Sequence, residues 1–261
     1  MRKISSREYK VMLDHRLFVE RKVAAERFCA ELHACAKRFK SVECDKQFTK
    51  TKKREIVFLD TRDETIHLNR FVFRQRHDVE KNTAEYTLKC RSPDRYVAAS
   101  ANVASAKGIA PDEKFEEDVG APFVCRFSHS NTVEGSNKAP KTLGQAARLF
   151  PALGKLKRDG ENCSDQLDLR PVNAMKAFER VLSGPILVFQ ETKAEVALIL
   201  WSDGEDGRPL VAEFSFRYAS KGEDFSPKAA RLAMEFFEDL QRLDWCLPEG
   251  QTKTQFTYRG K

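Results

Sequence analysis

The sequence predicts an α+β fold dominated by antiparallel β-sheet. Many short segments alternate apolar and polar residues, which indicates strands, and a few longer segments repeat apolar residues with helical spacing. No glycine-rich phosphate loop follows a predicted strand, and this disfavours folds built from βαβ units. The chain has 261 residues, of which 41% are hydrophobic, so it is long enough to bury a substantial core. We therefore expect a sheet with helices inserted between its strands.

The first part of the chain supplies five predicted strands and one long helix. Each strand shows alternation with a period of two, and the helix has apolar residues three, four or seven positions apart. The predicted strands are Ser6–Leu13, Val42–Phe48, Glu55–Asp60, Arg70–Arg76 and Glu85–Arg91, and the helix covers residues 17–39. The basic run Lys50–Arg54 joins two of these strands, and we interpret it as a solvated strand edge.

The second part of the chain mixes loops, helices and strands. Small and polar residues predict loops at Ala98–Pro111, Ser128–Lys141 and Asp159–Asp168. Helices are predicted over Thr142–Phe150, Val172–Leu182 and Ser226–Leu243, the first and last from their capping residues. Strands are predicted at Phe115–Val119, Phe123–Phe127, Ile186–Gln190, Glu195–Trp201, Leu210–Tyr218 and Thr254–Tyr258.

Composition narrows the class of protein. The 46 Lys and Arg residues exceed the 39 Asp and Glu residues by seven, which is compatible with a polyanionic partner. Mean hydropathy is −0.55, and the apolar runs fall far short of the ~20 residues that a membrane span needs. Seven scattered cysteines without a Cys-x-x-Cys pair, and a charged N-terminus, favour a cytoplasmic protein with reduced thiols. No motif supports nucleic-acid binding.

Four predicted strands are charged on one face and apolar on the other. The charged faces carry Glu8 with Lys10, Arg74 with Arg76, Glu85 with Lys89 and Arg91, and Glu213 with Arg217. An antiparallel sheet with one face in water would show this pattern. A sheet curled into a barrel with its charges inside would show it too, and those charges would then need partners or a charged ligand. Arg and Lys suit phosphate oxygens, and carboxylates suit Mg²⁺ or Mn²⁺.

Several short motifs follow one another in a familiar order. They are Glu8-Tyr9-Lys10, Phe58-Leu59-Asp60-Thr61, Arg74-Gln75-Arg76, Thr87-Leu88-Lys89, Lys114-Phe115-Glu116, Glu213 before the predicted helix Ser226–Leu243, and Thr252–Phe256. This order resembles the CYTH superfamily, the triphosphate tunnel metalloenzymes, which include class IV adenylate cyclases, thiamine triphosphatases and inorganic triphosphatases. The resemblance implies an eight-stranded antiparallel β-barrel with flanking helices. It also implies one domain over residues 1–261, with an expanded middle at about 98–184.

The resemblance assigns roles to individual residues. Phosphate binding falls to Lys10, Arg74, Arg76 and Lys89, with Lys193 and Lys253 as candidates for a further cation. Glu8 and Glu213 would bind Mg²⁺ or Mn²⁺, with Glu116 as a third candidate, and Glu8 and Lys10 would be catalytic. Ser6 stands where the family has the first glutamate of its opening Glu-x-Glu motif, and Ser215 stands where it has the second glutamate of the motif near the C-terminus.

The resemblance implies a metal-dependent phosphohydrolase that acts on a triphosphate compound. Inorganic tripolyphosphate is favoured over thiamine triphosphate as the substrate. Two alternatives stay open within the family, which are a non-catalytic module that binds polyphosphate or nucleotides and an enzyme like the class IV adenylate cyclases. The serines at two family glutamate positions favour the non-catalytic alternative, because a two-metal site would lose half of those ligands.

Overall fold

The computed structural model describes residues 2–44, 46–220 and 222–259. The strands in these residues are β1 (Ser6–Leu13), β2 (Val42–Cys44), β3 (Lys50–Asp60), β4 (Phe71–Asp78), β5 (Thr83–Ser92), β6 (Asp112–Gly120), β7 (Val124–Gly135), β8 (Lys157–Arg158), β9 (Glu161–Asn162), β10 (Arg170–Pro171), β11 (Ala177–Phe189), β12 (Thr192–Ser202) and β13 (Pro209–Ala219). The helices are α1 (Arg21–Lys37), α2 (Thr65–Leu68), α3 (Arg95–Ser100), α4 (Leu143–Ala147), α5 (Pro227–Leu240) and α6 (Lys253–Arg259). Among the described residues, no helix is long and apolar enough to cross a membrane.

Nine strands pair edge to edge into a closed ring. Their order is β3-β4-β5-β7-β6-β1-β13-β12-β11, and β11 pairs back onto β3. All pairings in the ring are antiparallel except that between β1 and β6, which is parallel. The predicted α+β class is confirmed. The ring has nine strands where eight were expected, and the parallel pair is a further departure from that expectation.

Helices α1 and α5 cover the outer face of β1, β12 and β13. Tyr9 stacks on Phe216 with ring centroids 4.7 Å apart, and Phe216 meets Phe236 of α5 edge to face at 5.7 Å. Phe28 of α1 contacts Phe214 at 5.3 Å. All five rings are fully buried, so this side of the ring carries much of the hydrophobic core.

Part of the expanded middle segment covers the outer face of β4, β5 and β7. Phe73 and Tyr86 of the sheet belong to one buried cluster with Leu143 and Phe150, and the rings of Phe73 and Phe150 lie 6.1 Å apart. The same segment also supplies β6, β7 and the start of β11 to the ring. The expansion is therefore built into the ring and onto its outside.

Two predicted elements have the wrong type. The helix expected over Val172–Leu182 is a short 3-10 turn followed by β11, because pairing with β3 and β12 overrides a local pattern that suits either element. The strand expected at Thr254–Tyr258 is instead part of helix α6. A seven-residue segment is too short for its apolar spacing to separate the two periods.

Parts of two strands were not predicted because their residues are polar or charged. The first half of the predicted loop Ser128–Lys141 is strand β7, whose serines and threonine face the polar interior of the ring. The basic run Lys50–Arg54 lies within β3 rather than beside it. The strand predicted at Val42–Phe48 is observed over Val42–Cys44, and Asp45 lies outside the described residues. A strand that faces a charged interior lacks the apolar signal by which strands are recognised.

Candidate functional site

The interior of the ring, which we call the lumen, is lined by charged side chains. Directly opposed residues on paired strands point to the same face. Arg74 lies opposite Phe58 and Thr87, and Glu8 lies opposite Arg217 and Asp118. The charged residues that share this face include Glu8, Lys10, Lys50, Lys52, Arg54, Arg74, Arg76, Asp78, Glu85, Lys89, Arg91, Asp112, Lys114, Glu116, Asp118, Arg126, Glu134, Glu179, Glu195, Glu213 and Arg217. The barrel interpretation of the charged faces is therefore confirmed, and the open sheet with a wet face is wrong.

Asp118 of β6 gathers three cations, and we call this group the Asp118 cluster. Its Oδ1 accepts from Lys10 Nζ at 2.8 Å, and its Oδ2 accepts from Lys89 Nζ at 3.2 Å and from an Arg91 nitrogen at 2.7 Å. Lys10 Nζ also lies 2.7 Å from Glu8 Oε2. Burial raises the pKa of Asp118, but the three cations outweigh burial and hold that pKa well below its usual range. Cations from two strands, β1 and β5, therefore converge on one carboxylate at this position.

Glu179 of β11 forms a second group, the Glu179 cluster. Its fully buried carboxylate lies 2.5 Å from an Arg54 nitrogen and 3.9 Å from Arg76 Nε, and it accepts from Trp201 Nε1 at 2.9 Å. Burial raises the pKa of Glu179, but Arg54 and Arg76 outweigh it, so the pKa lies well below the usual range. This carboxylate stays ionised and neutralises part of the arginine charge.

Arg74 of β4 is a cation of the lumen that neither cluster neutralises. Among the described residues, Arg74 has no ion-pair partner, and its Nε is buried without a hydrogen bond. Burial, with the like charge of Arg76, holds the pKa of Arg74 well below its usual range. Burial also lowers the pKa of Arg76 to about 10 and that of Lys89 to about 8. An anion beside these three groups would offset their desolvation.

Two of the three predicted metal ligands are engaged by lysines. Glu8 is paired with Lys10, as described above, and Glu213 Oε1 accepts from Lys253 Nζ at 2.7 Å. Lys253 belongs to α6, so the C-terminal helix supplies a cation to the lumen from outside the ring. Both lysines occupy positions beside oxygens that a metal ion would need.

The third predicted ligand, Glu116, is also engaged. Its Oε1 accepts from Ser6 Oγ at 2.7 Å and lies 3.5 Å from an Arg217 nitrogen. Within residues 2–44, 46–220 and 222–259, no three His, Cys, Asp or Glu side chains lie close enough to hold one metal ion. The described residues therefore contain no ready-made site with three such ligands, whereas Mg²⁺ commonly needs only one or two carboxylates beside substrate phosphates, and the Mg²⁺ or Mn²⁺ cofactor stays a prediction.

The predicted phosphate-binding residues mostly reach the lumen. Those that face it are Lys10, Arg74, Arg76 and Lys89, and Lys253 enters it from α6. Lys193 is exposed at the start of β12, opposite Val188, and forms no ion pair within the described residues. The structure brings five of the six predicted cations into the lumen, whereas Lys193 lies at the exposed start of β12, two residues before Glu195 on the same strand face.

Sequence reasoning missed four charged residues of the Asp118 and Glu179 clusters as site residues. Arg91 shares a strand face with Lys89, and Asp118 follows Glu116 by two residues, so both could have been found from alternation. Arg54 was interpreted as part of a solvated edge, and Glu179 fell within a predicted helix. The strand face of a residue can be inferred only when its segment is recognised as a strand, so neither Arg54 nor Glu179 could be assigned to the lumen.

No protein-family model and no curated protein matches the sequence. Solved structures of similar shape include HpAC1 from Hippeastrum, described as a proposed adenylyl cyclase with a dominant triphosphatase activity. The TM-score is 0.49 at 12% identity, over 99% of this chain and 97% of that one. A proposed adenylate cyclase from Bacillus halodurans has a TM-score of 0.44 at 13% sequence identity, over 97% of this chain and 96% of that chain. A protein from Pyrococcus horikoshii has a TM-score of 0.43 at 10% sequence identity, over 98% of this chain and 99% of that chain. The activities named are those of the neighbours.

Proposed function

We propose that this protein binds a triphosphate compound in the lumen. The observation that carries the proposal is Arg74, which has no ion-pair partner within the described residues and lies beside Arg76 and Lys89, whose pKa values burial lowers although each has a carboxylate partner. The side chains of Arg76 and Lys89 remain 20% and 21% exposed, so a ligand that enters the ring can reach them. A triphosphate places several charged oxygens in a line, and arginine binds such oxygens in a bidentate manner.

The Asp118 cluster supports a ligand with more than one charged group. Lys10, Lys89 and Arg91 already converge on one carboxylate, while Arg74 and Arg76 lie on the neighbouring strand β4. A single small anion would meet only some of these cations. A chain of phosphates can contact cations on β4 and β5 together, which favours a linear polyanion over a monoanion.

Hydrolysis of the bound triphosphate is the second candidate. Glu8 and Asp118 are register partners on β1 and β6 and both face the lumen. Lys10 Nζ lies 2.7 Å from Glu8 and 2.8 Å from Asp118, so a phosphate that attracts Lys10 would free Glu8. A phosphate that also attracts Lys89 and Arg91 would free Asp118. These two carboxylates are the part of the lumen that favours the metal-dependent phosphohydrolase, with Glu8 and Lys10 as its catalytic residues and tripolyphosphate or thiamine triphosphate as its substrate.

Isothermal titration of tripolyphosphate in the presence of EDTA tests the binding proposal. We expect saturable binding to the wild-type protein. Arg74→Met should weaken it by about tenfold to a hundredfold, because one charge-assisted contact contributes about 1.5–3 kcal/mol. Arg16→Met is the matched control, since the Arg16 side chain is 77% exposed and pairs with Asp14 on the surface. No binding to the wild-type protein, or equal loss in both variants, would contradict the proposal.

Phosphate release tests the second candidate. Tripolyphosphate, thiamine triphosphate and ATP are each incubated with Mg²⁺, Mn²⁺ or EDTA, beside Glu8→Gln. Metal-dependent release that is lost in Glu8→Gln would support hydrolysis. Tight binding without release from any of the three compounds would leave binding as the function and exclude hydrolysis of these substrates.

A further inference from the structure

Glu179 and Trp201 form one unit on the lumen face of the ring. They are register partners on the neighbouring strands β11 and β12. The indole Nε1 is the only polar atom of the Trp201 side chain, and it donates to Glu179 Oε2 at 2.9 Å. The Trp201 ring is 1% exposed and meets the Phe58 ring with centroids 6.0 Å apart. Packing therefore fixes the indole, and the indole fixes one oxygen of the carboxylate.

The other oxygen of Glu179 faces two arginines from different strands. Its Oε1 lies 2.5 Å from an Arg54 nitrogen and 3.9 Å from Arg76 Nε. Arg54 is directly opposite Glu179 on β3, whereas Arg76 is on β4, one strand further from β11. A side chain one methylene shorter than glutamate could not keep the contact with Trp201 and both contacts with the arginines.

Arg76 depends on Glu179 for its position. Among the described residues, Glu179 is the only carboxylate within ion-pair distance of Arg76, and Arg76 Nε is buried without a hydrogen bond. Burial lowers the pKa of Arg76, and Glu179 is the strongest influence that opposes this shift. The next acid is Glu85, which lies directly opposite Arg76 on β5. Without a fixed Glu179, we expect Arg76 to turn away from Arg54 and pair with Glu85.

We propose that Glu179 and Trp201 are positioning residues, which hold Arg76 beside Arg74 so that both arginines can bind one anion. This inference rests on the proposed function, in which these arginines bind a triphosphate. Arg74 and Arg76 are two positions apart on β4 and face the lumen together. Because Glu179 contacts Arg76 through Nε, the two terminal nitrogens of Arg76 are left to a ligand.

A role in charge balance alone makes a different prediction. In that role, any carboxylate close to Arg54 and Arg76 would serve, and the donor of Trp201 would have no effect on a ligand. Positioning requires both the reach of the glutamate side chain and the N–H group of the indole. Substitutions that keep the charge of the cluster therefore separate the two roles.

Titration of tripolyphosphate in EDTA, with two such variants, tests the inference. Trp201→Phe removes the N–H donor but keeps an aromatic ring, and Glu179→Asp keeps the carboxylate but shortens its reach. Each should bind tripolyphosphate about tenfold more weakly than the wild-type protein, because a charge-assisted contact is lost. The controls Trp245→Phe and Glu205→Asp should bind within about twofold of the wild-type protein. Trp245 packs against α1 outside the ring, and Glu205 pairs at the surface.

Tryptophan emission tests the same cluster without changing it. The chain has two tryptophans, so in Trp245→Phe all tryptophan emission comes from Trp201. We expect tripolyphosphate to change this emission saturably, with the midpoint found by titration, because the ligand binds among the charges next to the indole N–H. Binding without any change in emission would overturn the inference, and this measurement also decides the case if Trp201→Phe or Glu179→Asp does not fold.

The outcomes separate this inference from the proposed function. Equal affinity of the wild-type protein, Trp201→Phe and Glu179→Asp, each shown to be folded by circular dichroism, would overturn the positioning role and leave the binding of a triphosphate intact. No binding of tripolyphosphate to the wild-type protein would instead contradict the proposed function.

Discussion

The two faces of the same strands serve different purposes. On β13, Phe214 and Phe216 point outward into a core with α1 and α5, while Glu213 and Arg217 point inward to ion pairs in the lumen. The outer face is fully packed and apolar. The inner face holds cations whose desolvation is not offset, with Arg74 as the clearest case. We therefore expect outer residues to govern stability and inner cations to govern binding, partly at the expense of stability.

Phe216→Ala should have the largest effect on stability. The side chain is fully buried and contacts the rings of Tyr9 and Phe236, so its removal leaves a cavity that costs about 3–5 kcal/mol of the free energy of unfolding. Urea denaturation measures this. Tyr96→Ala is the control, because Tyr96 is 66% exposed and should change stability by less than about 0.5 kcal/mol. Similar losses in both variants would contradict the assigned core.

Glu179→Gln tests the contribution of a charged lumen residue to stability. This substitution removes the charge that neutralises Arg54 and Arg76 in a fully buried position, and we expect it to cost about 3 kcal/mol. Glu205→Gln removes an ion pair with Lys53 at the surface and should leave the free energy of unfolding close to that of the wild-type protein, because solvent screens exposed pairs. Equal unfolding midpoints for the two variants in urea would show that the Glu179 cluster is not desolvated.

Arg74→Met should increase the stability of the protein, whereas most substitutions away from the surface decrease it. The variant removes an unpaired guanidinium, so the free energy of unfolding should rise by about 1 kcal/mol while tripolyphosphate affinity falls. Thermal denaturation and titration on the same preparations measure both. A variant that loses stability and binding together would mean that Arg74 supports the fold rather than the ligand.

The smallest expected effect is a dependence of stability and of tripolyphosphate affinity on pH, which arises from Lys89. Burial lowers its pKa from 10.5 to about 8, so between these values the folded protein holds fewer protons on Lys89 than the unfolded chain. The contribution of Lys89 to stability therefore becomes more favourable as the pH rises from about 8 to 10.5. Over the same rise the cation is lost, so tripolyphosphate affinity should fall above about pH 8. Lys89→Gln should flatten this fall, and the surface control Lys53→Gln should not.

The sequence predicted the outer and inner faces better than the elements that carry them. Alternation placed Glu8 with Lys10, and Arg74 with Arg76, on one face, because a period of two survives in any strand whose other face is apolar. The polar part of β7 and the part of β11 that carries Glu179 were assigned wrongly, since both gain their strand character from pairing and not from local pattern. The ring closure and the engagement of Glu8 by Lys10 depend on contacts distant in sequence or on side-chain geometry, which one sequence does not specify.

The central claim is that the lumen carries positive charge for an anionic ligand. Titration of tripolyphosphate into the wild-type protein and Arg74→Met, both in EDTA, tests it most directly. The account predicts saturable binding to the wild-type protein and a loss of about tenfold or more in a variant that remains folded. Binding of equal affinity to both proteins, or none to the wild-type protein, would contradict it.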